Sequence, residues 1–340
     1  MKRKITVAIL VCFVLVMLSG CEREYQMEYD FGVIFTTEYK NYSQIKYFNE
    51  EMQEISTLSY HYPNISYDGF RNSLIVGNEL YLLPKGHADK LDYGKVISLN
   101  LADGKIKEYN FRRANITDFE CALNLLCISS NLNSINYIDV YDLQTEKIQT
   151  MEVENAFINN LLVEGNRIYG TMTDLETDHC FLCEFNIVRG TYEVMHEIQA
   201  EPDFMEFYQG NLYFSNEDIL YEYNIKSKTM AEIMIPHKNA YNLNLVEDML
   251  YIGCTDILNG TESYVDVMCL PEKKIVKSIK HEGAILQLEV SEEDELYILD
   301  YDNLSVYDVS TKEPTLINSM VLQTDKEYYI GGFYLNEINK

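Results

Sequence analysis

Four groups of residues in this chain have the types and spacing to do chemistry. The first is Leu18-Ser19-Gly20-Cys21, a thiol placed directly after small residues at the end of an apolar run. The second, His179-Cys180-x-x-Cys183, carries the donor types of a metal site. The third, Asp174-x-Glu176-x-Asp178, presents oxygens at alternate positions, as a Ca²⁺ loop does, and Asp300-x-Asp302-Asn303 has a similar look. The fourth is a set of basic residues in an acidic chain: the pair Arg112-Arg113, then His237-Lys238, and His281 beside the acid Glu282, the two histidines 44 residues apart. Nucleophile-elbow, phosphate-loop and dinucleotide motifs are absent from the sequence, so no catalytic constellation can be named.

Weighing these groups removes most of the metal chemistry. In a strand, residues i and i+3 point to opposite faces, so Cys180 and Cys183 do not readily share a ligand sphere, and packing is the better account. The acidic loop lacks the sixth-position Gly and the distal Glu of an EF-hand loop. In a chain with 54 Asp and Glu such clusters arise by chance, and a solvated loop is the simpler reading. No metal and no cofactor is expected. Cys121, Cys127, Cys180, Cys183, Cys254 and Cys269 form no compact disulfide framework, and four of them sit inside apolar runs as small hydrophobes.

Residues 1–21 say where the protein goes. Lys2, Arg3 and Lys4 precede an uninterrupted apolar run from Ile5 to Met17, the n-region and h-region of a secretory signal. The run is short for the roughly 20 residues of a spanning helix. With Cys21 after Ser19-Gly20, the segment resembles the bacterial lipoprotein signal and its lipobox. That resemblance implies a diacylglyceryl group on the Cys21 thiol, cleavage before it, and a mature protein held at the extracytoplasmic side of a bacterial cell membrane. Residues 1–20 are then the signal peptide, 21–27 a tether, and 28–340 the folded domain. Removing the three basic residues from a chain at −27 leaves a mature protein near −30. So acidic a surface excludes nucleic acid, which needs Lys and Arg along its phosphates, and is repelled by anionic lipid. Only the acyl chain would hold it to the membrane.

The elements that position these residues follow from a repeat. An apolar-Tyr pair recurs at Leu80-Tyr81, Ile168-Tyr169, Leu212-Tyr213, Leu250-Tyr251 and Leu296-Tyr297, with Leu126-Cys127 in the vacant slot, at spacings of 46, 42, 44, 38 and 46. Gly77-Asn78, Gly165-Asn166 and Gly210-Asn211 precede three of them and suit hairpin turns with positive φ. Each pair leads into a strand, a polar turn and another strand, as in Tyr137–Leu143, Gln144–Lys147 and Ile148–Val153. Four short strands every 40–45 residues is the signature of a β-propeller. Six units are explicit. A seventh is split, with Tyr328–Ile330, Gly331-Gly332 and Phe333–Leu335 as a hairpin completed by strands from Gly32 to Tyr60. The expected fold is all-β: a propeller of seven four-stranded blades closed by both termini.

With that period, residues 25–338 resemble the seven-bladed propellers of the WD-repeat and YVTN-repeat type. The resemblance is architectural, because the chain has no Trp and hence no Trp-Asp dipeptide. Two functions suit such a domain. The leading one is a binding or scaffold module that docks a protein, peptide or glycan on one ring face. Its candidate residues are Arg112, Arg113, His237, Lys238, His281 and Glu282, on the loops that enter the first strands. The alternative is an extracytoplasmic glycan- or peptide-acting hydrolase or lyase using carboxylates around the channel. Two or more carboxylates converging with a His or Arg at the channel mouth would favour the enzyme.

Overall fold

The computed structural model describes residues 28–37, 40–66, 72–85, 94–256, 260, 262–324 and 327–336. Cys21 and the segments expected to be signal peptide and tether, residues 1–27, lie outside these. Among the described residues there is no helix, and the strands form seven antiparallel blades in a ring. Blade 1 has an inner strand in two pieces, Ile65–Ser66 and Leu74–Val76, then Glu79–Pro84, Lys95–Asn100 and Ile106–Asn110. Blade 2 runs Ile116–Ala122, Leu125–Leu132, Ile135–Asp142, Lys147–Glu154, and blade 3 runs Ala156–Glu164, Arg167–Asp174, Cys180–Asn186, Thr191–Ile198. Blade 4 comprises Met205–Tyr208, Asn211–Asn216, Ile219–Asn224 and Thr229–Met234. Blade 5 comprises Ala240–Val246, Met249–Cys254, Glu262–Cys269 and Lys274–Glu282. Blade 6 is Gln287–Val290, Glu295–Leu299, Asn303–Asp308 and Thr315–Val321.

Burial explains the patterning. Second and third strands pack between neighbouring blades on both faces, so they read as apolar runs; the middle four residues of Asn303–Asp308 are all buried. Fourth strands form the rim, and Lys147–Glu154 buries only Met151 and Val153. The first hairpin turns take the expected left-handed residues, with Gly77 at φ 63° and Gly165 at φ 60°. Leu125–Leu132 and Ile135–Asp142 run directly into a two-residue turn at Asn133-Ser134, both at positive φ.

Closure differs in one respect from the expectation. The C-terminal segment is not a hairpin: Tyr329–Leu335 is a single strand, the innermost of blade 7, and it pairs with Phe31–Thr36, which continues into Ser43–Phe48 and Glu54–Tyr60. Gly331-Gly332 reads as a turn but forms a bulge opposite Ile34 and Phe35. The glycine is needed there because a Cβ on Gly331 would sit 2.5 Å from the Ile65 carbonyl oxygen of blade 1. The ring is therefore closed by one strand from the C-terminus and three from the N-terminus. Aromatic residues seal it: Phe31, Phe48, Tyr297 and Phe333 join blades 6 and 7, and Tyr29, Tyr47, Tyr60 and Tyr334 join blades 7 and 1.

Candidate functional site

Two equivalent features set the chemistry of the loops that feed the inner strands of blades 2 and 5. Arg113 lies three residues before the blade 2 inner strand, and His237 lies three residues before that of blade 5. Both turn inward to a buried aspartate on the third strand of their own blade. Arg113 Nε and Nη2 donate to Asp139 at 2.5 and 3.0 Å, and Thr150 donates to the same carboxylate. The guanidinium lies 4.0 Å over the Tyr137 ring. In blade 5, His237 Nδ1 is 2.9 Å from Asp266, Ser278 Oγ donates to Asp266 at 2.5 Å, and the imidazole stacks on Tyr264 at 3.7 Å. A carboxylate only accepts, so Nδ1 carries a proton. Register makes the two sets equivalent: Asp139 pairs with Thr150, and Asp266 with Ser278. A basic side chain, an aspartate, a hydroxyl and a tyrosine thus form a latch that ties an entering loop to its blade.

At the ring's centre the inner strands bring carboxylates together. Glu120 of blade 2, Glu206 of blade 4 and Glu289 of blade 6 stand at one level with Asn244 of blade 5. They face Cys127, Tyr213, Tyr297 and Tyr251, the repeat-equivalent residues of the apolar-Tyr pairs. Burial above all, with the charges of Glu120 and Glu289, pushes the Glu206 carboxyl up to about 8. Two residues upstream, a tier of buried side chains binds blade 2 to 3, 3 to 4 and 6 to 7. Asp118 accepts from Leu161 N at 2.5 Å, and Asn160 donates to the Pro202 carbonyl at 2.5 Å. Gln287 exchanges two bonds with Phe333, of 2.8 and 3.0 Å.

The channel does not run open. From the break in the blade 1 inner strand, Asn72 reaches across to donate to the Leu243 carbonyl of blade 5 at 2.5 Å, and Ser73 N donates to Glu289 of blade 6. A cavity of about 310 Å³ remains beside this crossing, lined from blades 1 to 4 by Asn72, Phe119, Glu120, Phe204, Glu206 and Phe207 among others. Glu164, the last residue of its strand, also lines it, so the cavity lies toward the exit ends of the inner strands.

The sequence-based candidates divide between these places. Arg113 and His237 are held in the latches, and Arg112 and Lys238 are exposed on the entering loops. His281 and Glu282, expected on such a loop, instead end the fourth strand of blade 5, where pairing with Glu262 and Ser263 extends the strand, and Glu282 is exposed. His281 is 3% exposed, 3.0 Å from the Tyr307 hydroxyl, and burial lowers its pKa. The two histidines do not converge, and neither lines the channel cavity. Asp174 accepts from the amides of Glu176 and Thr177 and so closes its own loop. All six described cysteines are free thiols, four of them buried. The channel glutamates were missed, although a signal existed: Glu120 and Glu206 stand seven residues before Cys127 and Tyr213, and Glu289 eight before Tyr297.

No protein-family model matches the chain, and no characterised protein matches it in sequence. Solved structures do resemble it. A protein from Bacteroides uniformis described as a candidate 6-phosphogluconolactonase is 11% identical, with a TM-score of 0.62 over 91% of this chain and 100% of its own. A similarly described protein from Bacteroides fragilis is 11% identical, with a TM-score of 0.60 over 90% and 98%. A protein of unknown function from Desulfotomaculum acetoxidans gives 10% identity and a TM-score of 0.61 over 89% and 98%. At such identities the likeness shows the fold alone.

Proposed function

We propose that this chain is a lipid-anchored, extracytoplasmic binding module of the bacterial envelope, and that its entering-loop face captures a protein, peptide or glycan. The observation that carries this reading is the pair of latches. They fix the loops around Arg113 and His237 to their blades and leave Arg112, Lys238 and Glu282 exposed on one ring face. A loop already held in place loses less freedom on binding, so more of its contact energy appears as affinity. Arg112 and Lys238 add two cations to a surface otherwise acidic, which suits a carboxylate-bearing partner.

Capture from intact envelopes, quantified by cross-linking, tests the face. Reversing both charges (Arg112→Glu with Lys238→Glu) is expected to lower capture at least tenfold, since affinity concentrates in a few clustered residues. Changes on the opposite turns, at Gln144 and Lys226, should alter it less than twofold. Equal loss from both faces would overturn the assignment. The anchor has its own test: Cys21→Ala should abolish fatty-acid labelling and leave an unprocessed or released protein. A mature-length Cys21→Ala species that stays with membranes would refute lipidation.

The carboxylates at the channel favour a second reading, the glycan- or peptide-acting hydrolase or lyase. A carboxyl raised to about 8 is protonated at neutral pH and could serve as a general acid beside Glu120. Turnover of such a substrate by the purified protein, lost in Glu206→Gln, would establish the enzyme in place of the binder.

A further inference from the structure

We propose that the outer strand of blade 6, Thr315–Val321, is an interface between two copies of this chain, paired antiparallel and edge to edge about a two-fold axis at Asn318. The strand lies on the rim of the ring, away from the entering-loop face, so the proposal stands or falls independently of what that face captures.

An edge strand offers a row of unpaired N–H and C=O groups to any other strand, and folded proteins guard such edges with charge. Six of the seven outer strands follow that rule. Glu54 guards blade 7, Lys107 blade 1, Glu152 blade 2, Glu193 blade 3, Glu232 blade 4 and Lys280 blade 5. Thr315–Val321 carries no charged residue. It pairs on one side with Asn303–Asp308 and ends its sheet on the other. It keeps the kind of bulge found in the outer strands of blades 3, 5 and 7, so it differs from them in charge rather than in shape.

The same strand is the most apolar part of the rim. Leu316, Ile317 and Val321 are 56%, 52% and 65% exposed, and among the described residues no other outer strand exposes more than two large apolar side chains. A run of apolar and β-branched residues without charge or Pro is the composition that pairs strand to strand.

Charge decides what covers it. At a net charge of −27, copies of this chain repel one another over most of their surface. The blade 6 edge is the one outer strand on which two copies meet with no charge between them. A basic partner would be drawn to the acidic surface elsewhere. The strand is also complementary to itself. A two-fold at Asn318 sets Leu316 opposite the partner's Met320 and Thr315 opposite the partner's Val321, so apolar meets apolar and β-branched meets β-branched. Just beyond the strand, Glu313 falls opposite the partner's Gln323 and Lys312 opposite the partner's Thr324, and no like charges face each other.

Light scattering on the full-length protein in detergent, corrected for the micelle, tests the interface. A monomer–dimer equilibrium is expected, with dimer favoured by higher salt as the net charge is screened. Asn318→Lys places two lysines opposite one another at the axis and should weaken the dimer about tenfold or more. Leu316→Lys, at an exposed position, should weaken it likewise while leaving the unfolding midpoint unchanged. Ile148→Lys, on the exposed outer strand of blade 2, should leave the dimer intact. Oxidation of Asn318→Cys in whole cells should give a disulfide-linked species of twice the subunit mass, absent from the unaltered protein. A chain monomeric at every concentration and salt, a dimer indifferent to Leu316→Lys and Asn318→Lys, or an Asn318→Cys protein that cross-links only to a different protein would each overturn the proposal.

Discussion

A protein lacking residues 328–340 is expected to lose its whole ring, not to fray at one end. The deleted segment contains the innermost strand of blade 7, in which Ile330, Phe333, Tyr334 and Leu335 are all buried. At about 1.5–3 kcal/mol for each large apolar side chain removed from water, these four residues contribute about 6–12 kcal/mol. That equals most or all of the net stability of about 5–15 kcal/mol typical of a folded domain. Two further bonds between Gln287 and the Phe333 backbone would be broken, leaving the buried amide oxygen of Gln287 without its donor. The edge of Phe31–Thr36 would also be bared at the channel, inviting association. Denaturant titration followed by circular dichroism should show no cooperative transition, or one displaced by several kcal/mol. A truncated protein with the midpoint of the intact one would refute closure by this strand.

Much of this was legible in the sequence, because the repeat is written in residues that must recur. A tyrosine beside an apolar residue after a tight turn marks the second strand of a blade wherever it appears, and its 44-residue spacing fixes the ring without tertiary information. What failed was local chemistry with two uses. Gly331-Gly332 serves a bulge under a neighbouring backbone as well as it serves a turn, and only the contact with Ile65 decides between them. The asparagine-rich stretch Asn155–Asn160 is likewise ambiguous locally: it is strand from Ala156 onward because pairing with Arg167–Asp174 overrides weak loop propensity.

The site was legible only in part, and the reason is geometric. Arg113 and His237 stood out as cations, yet nothing in their spacing shows that their partners Asp139 and Asp266 lie 26 and 29 residues on, inside third strands. The pairing becomes readable once the repeat is aligned, since Tyr137 and Tyr264 precede their aspartates by two residues in both blades. Glu120, Glu206 and Glu289 fall on first strands, which the apolar-Tyr pattern does not mark directly. The crossing of Asn72 and Ser73 to blades 5 and 6 could not be anticipated, because it joins residues 171 and 216 positions apart.

Arg113→Ala should be among the most damaging single changes in the protein, and its effect separates a latch from an ordinary surface pair. An exposed ion pair contributes about 0–1 kcal/mol. Here the aspartate side chain is 1% exposed and the arginine 25%, and the arginine's own pKa is raised by its bonds to Asp139. Removing the cation leaves a buried carboxylate with only the Thr150 hydroxyl to satisfy it, which should cost about 3–5 kcal/mol. Arg113→Lys should recover only part of this, because an ammonium cannot reproduce the paired donation from Nε and Nη2 or lie flat on Tyr137. Asp139→Leu combined with Arg113→Met should be milder than Arg113→Ala alone, since no charge is then stranded. A double-mutant cycle by denaturant titration checks the set, and a loss below 1 kcal/mol for Arg113→Ala would show the pair to be ornamental. If the latch also braces the binding face, partner capture should fall with Arg113→Ala even where the domain remains folded, and His237→Ala should reproduce that loss in blade 5. Asp266 there is fully buried and depends on His237 and Ser278 as Asp139 depends on Arg113 and Thr150.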